Sequence, residues 1–139
     1  MLAVGESVQE SVRRLNSWDF SRVRDFLVNH AIYEEDELDD IQREYTRYLA
    51  LIVGYGGARF IMSSAVDDFW HAHVLHTKDY QAMCHWLGRG FIHHHPTSSK
   101  AERDALSSEY DDTIRTYAKH FGTPGEKFWP GSGAVCLGN

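Results

Sequence analysis

The stretch from Asp67 to His95 holds the residue types in this chain that could bind a metal or move a proton. Nine histidines occur in the sequence, and seven of them fall between His71 and His95. On a helix of 3.6 residues per turn, His71 and His73 lie roughly 200° apart, so they cannot face one metal as an i, i+4 pair would. His73 falls instead in the middle of an apolar stripe of Val66, Phe69, Trp70 and Val74, while Asp67 and His71, four apart, share its flank. A carboxylate beside an imidazole can supply two metal ligands, or it can orient the imidazole from behind. The run His93, His94, His95 follows a Gly-x-Gly turn, and a turn folding back over the helix would bring one or two more imidazoles to that flank. Three or four such N/O donors suit zinc, or iron where two histidines and a carboxylate leave positions open.

The expected metal set is therefore Asp67, His71, His73, His93 and His94, with His73 either a ligand or a support. Trp70 and Tyr80 are the candidates for contact with a cofactor, although an amphipathic face accounts for Tyr80 together with Cys84 more simply. His76 and His85 read as exposed and outside the set. The bland alternative treats the histidines as architecture, since a half-buried imidazole with both nitrogens bonded can pin two helices.

These residues need elements to carry them. Val8 to Leu15 reads as a short amphipathic segment, and Phe20, Val23, Phe26, Leu27 and His30 predict a helix from Asp19 to Ala31, with Ser17 or Asp19 as its cap. The acidic run Glu34 to Glu37 opens a long helix through Leu38, Ile41, Tyr45, Tyr48, Leu49 and Ile52, where negative charge suits the helix dipole, and Gly54 to Gly57 end it. Ala58 to Ser64 is an extended connector, after which Ser63 or Ser64 caps the helix bearing Trp70 and His73. Thr77 starts a further helix through Tyr80, Met83, Cys84 and Leu87, broken by Gly88 and Gly90. A last helix runs from Ser98 to Phe121, and Gly122, Pro124 and Gly125 stop it. The expected fold is an all-α compact bundle of about five helices. Residues 1–125 would form one helical domain and 126–139 an irregular C-terminal tail whose Phe128 and Trp129 could pack onto the body.

Bulk properties limit the function classes. The chain has 139 residues, 42% of them hydrophobic and 24% charged, which is ordinary for a folded domain and far from the composition of disorder. A formal charge of −6, with scattered Lys and Arg, argues against a nucleic-acid partner. No stretch approaches the roughly 20 apolar residues of a membrane span, and Met1 to Glu10 lacks the pattern of a signal peptide, so a cytoplasmic protein is expected. Cys84 and Cys136 lie far apart and signal neither a disulfide framework nor a thiolate metal site.

The string Val66-Asp67-Asp68-Phe69-Trp70-His71-Ala72-His73-Val74-Leu75-His76-Thr77, with Tyr80, Cys84, and Phe91-Ile92-His93-His94-His95-Pro96, resembles the bacterial branch of the glycine-rich-domain-containing-protein-like family. Those proteins carry V-D-x-x-W-H-x-H-x-L-x-T-x-x-Y and a later L-H-H-Y-P, and Glu44-Tyr45-x-x-Tyr48-Leu49 also looks like theirs. The resemblance implies a small helical domain with a polar constellation at Asp67, Trp70, His71, His73, His93 and His94, without handing over a reaction. His76 and His95 depart from the pattern, where aspartate and tyrosine are usual, and the short glycine-containing tail is reduced.

Two functional readings follow. The first is a domain binding a divalent transition metal, with an enzyme use left open because no nucleophile and no glutamate general base stand out. The second is a non-enzymatic module in which Trp70, His71 and His73 tie helices together or line a pocket and an apolar groove engages a peptide or a partner protein; the partners expected overall are a small molecule or a protein. A pH-responsive histidine cluster is a third and weaker reading.

Overall fold

The computed structural model describes residues 3–30, 32–93 and 106–130. These residues form helices and connecting loops without a strand, as the periodicities require. The helices are α1 (Val4–Asn16), α2 (Ser21–Asn29), α3 (Glu35–Gly54), α4 (Ser64–Leu75), α5 (Thr77–Trp86) and α6 (Ser107–Phe121). The short segment at Val8 to Leu15 thus extends into a full helix. The expected start of the last helix, from Ser98, lies outside the described residues, as do His94, His95 and Cys136.

Helix α3 is the axis of the bundle, packed by α1, α2, α4 and α6. Its N-terminal half buries one stripe, Leu38, Ile41 and Tyr45, whereas Tyr48 to Ile52 are buried on every side. A helix apolar all round must be enclosed, and here α1 and α4 enclose it. The starts of α3 and α4 follow their sequence signals. Glu37 reaches back to accept the Glu34 backbone N–H at 3.3 Å, and Ser63 accepts the Val66 N–H at 3.3 Å. Asp19, one of the two expected caps of α2, accepts the Ser21 N–H at 2.9 Å, and these bonds hold its carboxyl below the usual range. Phe128 and Trp129 pack onto the helical body. Trp129 is buried among Tyr48, Tyr110 and Tyr117.

Among the described helices the contact of α1 with α3 is the broadest, and Gly54 makes it possible. A Cβ at Gly54 would fall 2.3 Å from Val8 Cγ2 and 3.2 Å from the Val8 backbone nitrogen. Alanine gains about 1 kcal/mol of helix propensity over glycine, but overpacking against a neighbouring backbone costs about 1–3 kcal/mol. Gly54→Ala is therefore expected to lower the melting temperature by several degrees, with α1 shifted away from α3. A thermal melt showing a stabilised variant would contradict this packing.

Candidate functional site

The motif on α4 is drawn into the core more than onto a surface. His73 is fully buried, and both of its ring nitrogens are engaged. The Tyr45 hydroxyl bonds Nδ1 at 2.8 Å, and Nε2 bonds the Asp79 carboxylate at 2.7 Å. A neutral imidazole offers one donor and one acceptor, so Nε2–H donates to Asp79 and Nδ1 accepts from Tyr45. Phe20, Tyr45 and Tyr80 pack edge-on against the ring. Three helices are joined through this one side chain: Tyr45 on α3, His73 on α4 and Asp79 on α5. With both nitrogens committed in this way, His73 presents no lone pair outward.

Asp67 is buried, and its charge acts on the Tyr48 hydroxyl. His71 is exposed, and its charge acts on Asp68, whose carboxylate accepts the Tyr33 hydroxyl at 2.7 Å. The segment after Gly90 does return to the α4–α5 pair, where the Phe91 ring packs edge-on against Tyr80 and the backbone is bonded at Ile92. Trp70 Nε1–H donates to the Tyr80 hydroxyl at 2.9 Å, and that hydroxyl donates to the Ile92 carbonyl. Tyr80 and Trp70 are thus a brace, and Cys84 behind them is a buried core thiol pushed up in pKa by burial. His93 is exposed, with its ring 5.0 Å from Phe91. Among the described residues no three of His, Cys, Asp or Glu gather closely enough to hold a metal ion. Tyr80 holds the returning segment by Ile92, the residue before His93. His94 lies outside the described residues.

What the fold does build beside the motif is a cavity of about 260 Å³. Its floor is Tyr48 and Ile52 of α3 and Trp70 of α4, and its walls are the loops through 57–62 and 89–93, with Leu106 at one side. Side-chain bonds fasten both loops. The Tyr48 hydroxyl donates to the Phe60 carbonyl, and Thr113 of α6 accepts the Ile61 N–H at 2.9 Å while donating to the Glu109 carbonyl. Tyr80 holds the second loop at Ile92. The loops also meet each other, since Arg89 donates to the Gly56 carbonyl at 3.2 Å.

Sequence reasoning passed over Glu44 as a single residue. It is buried on α3 and accepts from the Tyr117 hydroxyl and from Trp129 Nε1 at 2.9 Å, while Arg43 lies 3.0 Å from its second oxygen. An acidic residue on the buried face of an amphipathic helix was the available signal. Its partners lie 73 and 85 residues away, where no local pattern reaches.

Burial holds the His73 imidazole below its ordinary value of 6.5, against the opposing pull of Asp79 and with a small contribution from His76. The unfolded chain then binds a proton that the folded chain refuses, so this stability is present above about pH 6.5 and is lost as the pH falls towards the folded value. His73→Phe, which keeps a ring and removes both bonds, should cost about 2–4 kcal/mol at pH 7.5. Its deficit relative to the native chain should shrink as denaturation is repeated from pH 7.5 down to pH 5. A deficit independent of pH would mean that His73 does not sit neutral between Tyr45 and Asp79.

Among the described residues, no helix is long and apolar enough to cross a membrane. Comparison with curated proteins and with solved structures finds no match for this chain. A family model described as UCP032817-like matches residues 9–119, from α1 almost to the end of α6. This overturns the likeness to the glycine-rich-domain-containing proteins suggested by the Val66 to Thr77 string, a motif short enough for unrelated helices with the same packing needs to share. Matched over most of its length, the chain belongs to the UCP032817-like family.

Proposed function

We propose that this chain is a small-ligand-binding helical module, in which the α4 motif holds a pocket wall in place and does not itself perform chemistry. The cavity between α3, α4 and the two fastened loops carries this reading. At about 260 Å³ it lies near the lower edge of volumes that hold small ligands, about 300 Å³. Its lining is mostly apolar and aromatic with a few polar groups, the mixture that binds and orients a small molecule. Its loops are tied by buried side chains before any ligand arrives, so little ordering entropy remains to oppose binding.

The chemistry of the lining favours binding over turnover. Its described residues include no Ser, Thr, Cys, Asp or Glu, so no nucleophile stands beside a carboxylate base. His73, the histidine best supplied with partners, is one layer behind the cavity.

A fragment screen followed by two-dimensional NMR tests the reading. Fragments that bind should shift the Trp70 indole N–H and the backbone amides of 57–62 and 89–93 in a saturable way. Ala58→Trp, which adds bulk at an exposed lining position, should weaken them at least tenfold while leaving the melting temperature within a few degrees. Hits that map elsewhere, or that survive Ala58→Trp, would remove the pocket as the binding site. The metal expectation is decided separately, by elemental analysis of purified native chain beside His71→Ala. Zinc or iron near one per chain that the substitution removes would replace the present reading of the α4 flank.

A further inference from the structure

The charge pattern of the cavity identifies the class of ligand. Asp and Glu outnumber Lys and Arg by 20 to 14 in this chain. Yet the described lining contains two arginines, Arg59 and Arg89, a histidine at the rim, and no acidic side chain. Composition alone would have placed acids there.

Arg89 is built into position. Its guanidinium lies across the Gly56–Gly57 backbone and spends an N–H on the Gly56 carbonyl. A Cβ at Gly57 would fall 2.1 Å from its Nη2, and Gly57 has a φ of +88°, a conformation that side-chain-bearing residues rarely adopt. Glycine at 57 therefore serves the turn, over which the Arg89 guanidinium rests. A guanidinium carries five N–H donors, so Arg89 retains several beyond the one given to Gly56. Arg59 enters from the other loop and acts electrostatically on the Tyr48 hydroxyl, against the larger and opposite effect of buried Asp67. Facing these two cations are aromatic surfaces. Tyr48 and Trp70 have ring centroids 5.4 Å apart, and Phe60 joins them in the lining.

We propose that the cavity binds a small planar organic anion, an aromatic carboxylate of benzoate to naphthoate size. Its acid group meets Arg89 and Arg59, and its ring lies against Tyr48, Phe60 and Trp70. The proposal rests on the reading of the cavity as a ligand site and adds the ligand's charge and shape. A carboxylate matches the planar donor fork of arginine and can take two N–H bonds from it. A neutral ligand of the same shape would cover the guanidinium groups and return no charge-assisted bond, leaving their desolvation uncompensated.

The test titrates the full chain by calorimetry and NMR with benzoate and 2-naphthoate, with the matched neutral amides benzamide and 2-naphthamide, and with inorganic phosphate. The acids should bind at least tenfold more tightly than their amides, and phosphate more weakly than 2-naphthoate. Arg89→Gln should reduce acid affinity tenfold or more and leave amide affinity nearly unchanged. Arg59→Gln, at an exposed position that the fold does not need, should reduce it by a smaller factor and guards against a folding defect in the first variant. Amides bound as tightly as acids would overturn the anionic class while the pocket survives as a ligand site. Phosphate bound as tightly as 2-naphthoate would overturn the planar organic part of the ligand. Acids and amides both failing to bind would overturn the proposal. Failure of the wider ligand-site reading is distinguished by the fragment screen, which also contains cations and non-planar compounds.

Discussion

A phenolic hydroxyl buried without a partner costs about 1–3 kcal/mol, and this molecule buries five tyrosines in its described helices. Each finds an acceptor, and the choice of acceptor shapes everything that is not helical. Tyr48 takes the Phe60 carbonyl, Tyr80 the Ile92 carbonyl and Tyr110 the Pro130 carbonyl. Tyr45 and Tyr117 take His73 and Glu44. The rings supply apolar area to the core while the hydroxyls reach out of it to fasten three irregular segments, including the two loops that form the cavity. Such a loop needs no regular structure of its own, because its backbone groups are satisfied from the helices beneath.

The same economy accounts for the buried ionisable groups. No buried side-chain nitrogen or oxygen among the described residues lacks a partner. His73 and Glu44 are each the centre of a small network joining elements distant in sequence, and removing either would strand several polar atoms at once. A histidine-rich motif of this kind is readily mistaken for a reactive centre, since metal ligation and helix bracing both call for an imidazole with a fixed orientation. What separates the two uses is where the second nitrogen points. In His73 it points at the half-buried carboxylate of Asp79 at the edge of the core.

A division of labour follows between the core and the cavity. The core polar groups are mutually satisfied and face inward, so they have little left to offer a ligand. The cavity groups have the opposite property. Arg89 is anchored through one of its donors, Arg59 stands on the exposed loop, and the aromatic faces of Tyr48 and Trp70 are fixed by hydroxyl and indole bonds made on their far edges. Rigidity comes from the satisfied network, and the groups it leaves with donors to spare stand at the rim.

Helices were legible in the chain because their signals are local. The apolar spacing through Leu38, Ile41, Tyr45 and Tyr48, the Ser63 cap before Val66 and the glycines after Ile52 all act within a few residues, and the elements form where those patterns lie. The stripe that includes His73 was likewise visible, because 3.6-residue periodicity assigns a face before any partner is known. What occupies that face was not visible. Tyr45 meets His73 across 28 residues, Glu44 meets Trp129 across 85, and Arg89 comes to rest on Gly56 across 33. Such pairings depend on how whole helices pack, and only packing could decide whether an imidazole turned to a cation or to a tyrosine. The chain by itself determined where the helices lie and which apolar stripe each would turn inward. The tertiary structure decided which polar atoms those residues would meet, and so moved the centre of interest from the histidines to the arginine-lined cavity beside them.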